Sequence, residues 1–336
     1  MIFVLTYTFL FQIPKLALEA SPRFAVPDSY NVKAMDVDEA YLVLLMRSAP
    51  YVRVLQRGKQ LCQWGTTGKG PNEFTHPTDV ALNGDEIWVL NKLPNRITIF
   101  SLSGDFKTSI ALKQLVLAVH LQVVGGIGIV QDGGLYLPTN DLFLIEEGHV
   151  EKVLTFDPGK TEEILAPGKP PFTVPSPYAA RDLWTFFDDG RLVLNNKGTY
   201  RLLFQSPSGR EGAPWQLDKQ QYNMTQSASD LWLNRYFPQQ RNGMGLPMGA
   251  WREKAKKVAM PKTYPPAMAL IADRNKIWLQ RAYGLKDQYW ESYREAGKCA
   301  TLVLPNHLRV YGIYGDGVYV TDQSQDDTPF VVYSMR

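Results

Sequence analysis

Only two cysteines, four histidines and a net charge of +3 occur in 336 residues. Two thiols make no disulfide scaffold. Cys62 and Cys299 fall in distant repeats, beyond the roughly 7 Å Cα separation that a bridge tolerates, so two separate, buried thiols are expected. A charge of +3 does not imply a nucleic-acid partner. The one dense basic run, REKAKK from Arg252 to Lys257, reads as the solvated face of a short helix. The patterns H-E-x-x-H and G-x-S-x-G, a Cys-His nucleophile pair and the D-x-D-x-D-G calcium loop are all absent, so no assembled catalytic motif is visible. Long apolar runs are also missing. Ile2–Phe11 is too short to span a bilayer, and the mature chain is expected to carry no membrane span. The run suits the core of a secretory signal, with Ala20-Ser21 as a cleavage point. Against that, no positive charge precedes it and Pro14 and Lys15 follow it. Residues 1–20 are therefore expected to be a signal peptide, giving a periplasmic or extracellular protein. The alternative is an edge strand in a cytoplasmic one.

What the chain has instead is a repeated plan: a short apolar strand, a polar turn, then a strand closing on aromatic or aliphatic residues. It occurs in YNVKAMDVDEAYLVLL from Tyr30, HPTDVALNGDEIWVLN from His76 and GGIGIVQDGGLYLPT from Gly125. It returns in RDLWTFFDDGRLVLN from Arg181, PPAMALIADRNKIWLQ from Pro265 and HLRVYGIYGDGVYVTD from His307. The turns NGDE, QDGG, DDGR, DRNK and GDGV are rich in residues that tolerate tight hairpins. The anchors Leu42, Trp88, Tyr136, Val193, Trp278 and Tyr319 recur at roughly the 40–50-residue period of propeller blades, with one wide gap before Trp278. Third strands are expected at YVRVLQ, RITIFSL, HVEKVLTF, TYRLLFQ, ATLVLP and PFVVYSM, and a fourth, such as KTSIAL, at each outer edge. The last blade lacks a fourth strand, which RFAV at residues 23–26 is expected to supply. The fold class is thus all-β: a six-bladed β-propeller of four-stranded antiparallel blades, one domain over residues 22–336. The wide gap holds either a seventh blade around DLWLNRYF or an insertion. It is read as a short helical insertion at about 219–262, between blades four and five, because TQSASDLWLNRYF and GAWREKAKKVA have helical character and show no paired strand with a turn.

GTTGKGPNEFTHPTDVALNGDEIWVLNKLPNRITIFSLSGDF, residues 65–106, resembles an NHL-type repeat. It has the family's G-x-G-P-x-E-F loop, P-x-D-V-A-L strand, N-x-R-I-x-x-F strand and Gly turn. Asn91 and Lys92 depart from the pattern, which usually has an acid there. The whole chain is similar to bacterial six-bladed propellers of unassigned function. In the loop, Gly65, Gly68 and Gly70 allow a sharp turn between blades, Pro71 and Pro77 stiffen it, and Phe74 is placed to plug between blades. Phosphate binding is disfavoured, since a strand rather than a helix follows.

Counting back from the anchors places Tyr30, His76, Val124, Arg181, Pro265 and His307 at the start of the inner strands, where ligands meet a propeller channel. The resemblance to six-bladed lyases and lactonases implies a channel metal. His76 and His307 would then hold one divalent ion such as Ca or Zn. The residues argue against it: the two histidines sit on non-adjacent blades beside Arg181, and no third ligand is identified. The expectation is no cofactor. Asp79 and Asp182 are candidate carboxylates, Asp79 equally a partner for turn amides; His120 and His149 show no partner spacing. Asp322, Asp326 and Asp327 read as turn acids. Trp232, Tyr236, Phe237 and Trp251 are candidate surface aromatics of the insertion. The leading functional expectation is a monomeric binding module for a peptide, protein or small ligand, without turnover. The alternative is a metal-dependent lyase or lactonase-type hydrolase. RNA binding, known in some NHL propellers, would require a basic face that +3 does not promise.

Overall fold

Two-residue turns of Asn, Asp and Gly close hairpins whose strands alternate buried and open side chains, and such hairpins hide their apolar faces only by stacking on one another. The computed structural model describes residues 13–133, 140–157, 159–164, 172–176, 178–206, 209–224, 228, 230, 256, 258, 260–283, 286–324 and 328–336. Blade one is Val32–Val37, Tyr41–Met46, Val52–Gln56 and Lys59–Trp64. Blade two is Pro77–Asn83, Glu86–Lys92, Asn95–Ser101 and Phe106–Ala111. Blade three is Ala118–Val124, Ile127–Asp132, Asn140–Glu146 and His149–Phe156, and blade four is Leu183–Phe186, Leu192–Asn195, Arg201–Gln205 and Trp215–Gln216. Blade five is Ala269–Asp273, Lys276–Tyr283, Asp287–Arg294 and Gly297–Pro305. Blade six is Leu308–Tyr314, Gly317–Asp322 and Phe330–Ser334, completed by Phe24–Val26 pairing antiparallel with Phe330–Val332. This is the six-bladed ring expected, with RFAV as its closing strand.

The core runs around the ring as six clusters, each shared by two consecutive blades. Between blades one and two, Phe74 is fully buried. Its ring meets Tyr51 at 6.0 Å, Trp64 at 6.2 Å and Phe100 at 5.8 Å. Gly65, at φ 93°, is needed there, since a Cβ would lie 2.8 Å from the Phe74 ring. The neighbouring motif residues are structural as well. Glu73 accepts the Gly70 N–H at 2.7 Å, and Arg96 donates to the carbonyls of Gly70 and Glu73. Asn91 accepts the N–H groups of Thr75 and His76 and donates to the Pro94 carbonyl. A carboxylate at position 91 could not make that last bond.

Blade three differs from the expected register. Its inner hairpin turns at Gly125-Gly126, with φ 60° and 82°, and not at QDGG. Two Gly-rich signals flank one strand here. The second is a crossing loop in which Asp132 accepts the N–H groups of Val116 and Leu117. HVEKVLTF is consequently the outer strand, and the anchor Tyr136 lies outside the described residues. In blade five ATLVLP is likewise outer, because Asp287–Arg294 intervenes. A further hairpin, Thr161–Ile164 with Phe172–Pro175, joins blades three and four.

Two chain segments lie outside this plan. Lys15–Leu16 pairs parallel with Thr301–Leu302 at the outer edge of blade five, and Leu18 bridges to Met335. Within the segment read as a signal peptide, Lys15–Leu16 thus lies as a two-residue edge strand on blade five. Of the insertion, residues 228 and 230 are helical. Its legs pair through Asn223 and Thr263, and most of it, with Trp232, Tyr236, Phe237 and Trp251, lies outside the described residues. Cys62 and Cys299 are free, and half-buried where full burial was expected. Among the described residues no helix is long and apolar enough to cross a membrane. Phe74→Ala should destabilise the protein by about 3–5 kcal/mol through the cavity left between blades one and two, measured by urea denaturation.

Candidate functional site

The inner strand of every blade has one edge without a ladder partner, so its N–H and C=O groups need other partners. Side chains from the adjacent blade supply them. Asp36 of blade one accepts the Leu82 N–H at 2.8 Å, and Asp79 of blade two accepts that of Leu121 at 2.8 Å. Gln122 of blade three accepts the Phe186 N–H. Asp188 of blade four takes the Arg274 N–H, and Asp273 of blade five that of Gly315 at 2.8 Å. Tyr311 of blade six closes the circuit by donating to the Val32 carbonyl at 3.1 Å.

Within this circuit Asp36, Asp79 and His120 form a charged wall across blades one to three. Asp79 is buried and its Oδ2 is hydrogen-bonded to His120 Nδ1. The His120 side chain is 41% open, and its ring lies 5.1 Å from that of Trp184. Burial opposes the imidazolium charge, but Asp79, with Asp36 behind it, outweighs burial and holds the His120 pKa above the usual 6.5. Asp36 is pushed up to about 7 by burial, against the N–H bonds from Leu82 and Val37 and with Asp79 and Asp38 adding to the rise. His120 therefore has the partner that its sequence context did not reveal. With blade three in its true register, His120 and Asp79 occupy equivalent places on consecutive inner strands.

The predicted ring residues fall at the face where the inner strands begin, called the upper face here, with one correction. Tyr30, His76, Arg181, Pro265 and His307 precede their inner strands, whereas Val124 ends its own, on the lower face. The two candidate metal histidines have separate neighbours. His76 is exposed, with Nδ1 2.5 Å from the Thr75 carbonyl. His307 Nε2 is 3.9 Å from Asp322, at a cavity of about 360 Å³ that also meets Leu18, Val303, Leu308 and Tyr333. Among the described residues no group of three His, Cys, Asp or Glu side chains is placed to hold a metal. Arg181 donates to the Met268 carbonyl at 3.3 Å, linking blades four and five. Asp182 accepts the N–H groups of Asp157 and Lys197, a turn role. His149 is exposed on an outer strand. Asp326 and Asp327 lie outside the described residues.

A second polar cluster, unforeseen from sequence, secures the legs of the insertion. Arg281 and Glu291 are buried and paired, with Lys298 Nζ 2.5 Å from Glu291. Burial alone would raise the Glu291 pKa, but Arg281, Lys298 and the Tyr293 hydroxyl hold it below its ordinary value. Arg281 also donates to the carbonyls of Asp218 and Gln220, and the Tyr222 hydroxyl to Glu291. Removing one partner would strand a buried charge.

The sequence profile of the DUF5128 family, described as a 6-bladed beta-propeller, matches residues 7–125. No curated protein matches the chain. Among solved structures it is similar to a member of the duf4221 family from Bacteroides vulgatus. That match has 10% identity and a TM-score of 0.56, covering 97% of this chain and 99% of the other. It is also similar to a protein from Bacteroides fragilis described as exported. There the identity is 10% and the TM-score 0.51, covering 95% of this chain and 93% of the other. At such identity the likeness shows the fold alone: the chain is an all-β six-bladed propeller.

The charged wall makes stability pH-dependent with a defined sign. Asp36 gives up its proton near pH 7 when folded and near 3.8 when unfolded, so stability falls as pH rises through that window. His120 acts in the same direction: its contribution is complete below its ordinary 6.5 and is lost as pH rises through its higher folded value. Asp36→Asn should flatten the decline in urea midpoint between about pH 4 and pH 7. An unchanged slope would remove Asp36 as its source.

Proposed function

We propose that the protein is a non-catalytic binding propeller that receives a peptide, protein or small ligand at its upper face. One observation carries this reading. The inner-strand acids Asp36, Asp79 and Asp273 each accept a backbone N–H from the next blade, so the groups best placed for chemistry in the channel are occupied in joining blades. An NHL-type character for blade two belongs to the same reading, supported by the structural roles of Gly65, Glu73, Phe74 and Arg96. So does a location outside the cytoplasm, supported by the Ile2–Phe11 run and the small residues Ala20-Ser21. Cleavage there would strip Lys15–Leu16 from blade five, and the mature N-terminus, read by mass spectrometry, tests it.

A second reading, an enzyme centred in the channel, is favoured by one feature: the Asp79–His120 pair, whose carboxylate could orient the imidazole as a general base. The metal-dependent version with His76 and His307 has no comparable support. To separate the readings, the purified full chain is assayed on lactone, ester and peptide substrates with and without added Ca and Zn. His120→Gln and His76→Ala/His307→Ala variants are assayed alongside. The binding reading expects no turnover above background and the same bound-metal content in all variants. Turnover lost in His120→Gln, or metal lost with the paired histidines, would overturn it.

A further inference from the structure

At the upper ends of blades one to three, the rim carries both cationic and exposed apolar side chains. Arg47 is exposed and its N–H is bonded to the Asn31 carbonyl, beside Tyr30, which is 45% exposed. Lys33 reaches across the blade junction to the Pro77 carbonyl, next to exposed His76. Lys92 is tied through its N–H to the His76 carbonyl at 3.0 Å and is followed by Leu93, 53% exposed. Val116, 75% exposed, continues the rim on the approach to blade three. Among the described residues neither Arg47 nor Lys92 has a carboxylate partner. The acid that Lys33 feels, Asp79, is already engaged by Leu121 and His120.

We propose that this rim is the docking surface for an acidic peptide segment carrying apolar side chains, with Arg47, Lys33 and Lys92 meeting its carboxylates and Tyr30, Leu93 and Val116 its apolar groups. The proposal rests on the binding-module reading and specifies its partner. Charge complementarity is the first argument, and Lys33 sharpens it. Burial, with Arg47 and Lys92 close by, holds its ammonium below the ordinary 10.5, with Asp79 only partly compensating, so an incoming anion would relieve repulsion already present. Composition is the second. The cations come from two blades and are accompanied by the exposed apolar side chains of Tyr30, Leu93 and Val116, which suits a peptide carrying both kinds of group better than one small anion. Nucleic acid fits less well: three cations fall short of the roughly 6–10 phosphate contacts of a strong binder, and the apolar residues among them have no phosphate to meet. Preorganisation is the third. Asn91 fixes the loop at Thr75, His76 and Pro94, and Asp132 fixes Val116 and Leu117, so little ordering remains on docking.

The test uses the full chain and fluorescein-labelled peptides of about twelve residues, roughly 40 Å when extended. One alternates Glu with Leu, its counterpart alternates Lys with Leu, and a single-stranded DNA oligonucleotide is the third probe. Fluorescence anisotropy should show the acidic peptide bound in preference to both others, with affinity falling as salt is added. Arg47→Glu/Lys92→Glu should weaken it by about tenfold or more and favour the basic peptide, a gain that a merely unfolded variant would not show. Leu93→Ser/Val116→Ser should weaken it several-fold, and Lys59→Glu, on an outer strand of blade one, should leave it unchanged. If neither peptide binds the wild type, this surface is overturned while the binding-module reading, which the turnover and metal assays test, is untouched. If peptides bind with no preference for acid, or with equal loss in Lys59→Glu, or if the oligonucleotide is preferred, this surface alone is overturned.

Discussion

Every blade of this propeller begins with a strand whose inner edge has nothing to pair with, and the ring exists because that edge is satisfied by the neighbour. Asp36, Asp79 and Gln122 each accept an N–H from the next inner strand, Asp188 and Asp273 accept one from the turn that follows it, and Tyr311 completes the circuit with a hydroxyl. Buried unpaired backbone groups are costly, so these bonds and the apolar clusters outside them act together. The clusters press blades face to face, and the inner side chains fix how far each is rotated about the axis. Carboxylates serve well because one can take two N–H groups, as Asp36 does from Leu82 and Val37.

The same economy explains why the most family-like stretch says least about activity. Gly65 makes room for Phe74, Glu73 caps a loop amide, Arg96 holds two loop carbonyls, and Asn91 fixes the crossing loop. Residues so employed hand the chain from blade one to blade two, whatever is bound. What distinguishes this molecule lies between those positions, in the free side chains Arg47, Lys92, Leu93 and Val116 and in the half-open His120.

The fold was legible because period and turn chemistry are local properties: NGDE, DDGR, DRNK and GDGV each sit where the structure turns. Blade three misled because GGIGIVQDGG has two glycine-rich signals around one strand, and only packing decides which is the hairpin. That single slip moved Val124 to the wrong face and hid the pairing of His120 with Asp79. Blade five misled because DQYWESYR, rich in polar residues, is nevertheless an inner-lying third strand. Its Glu291 is neutralised by Arg281 and Lys298 from flanking strands, a pairing no spacing announces. Side chains that meet across blades are separated by a whole repeat or more, and sequence pattern says little about which of them touch.

The strand that completes blade six precedes blade one in the chain, with all the other blades between it and its partner. Phe24–Val26 is made well before its partner, Phe330–Ser334. Until then the early strand waits with its bonding groups unmet, and a nascent chain stalled anywhere in blade six would hold an open arc with two raw sides. The circle therefore closes only once Phe330–Ser334 has been made, and a chain that stops short of that strand forfeits the latch.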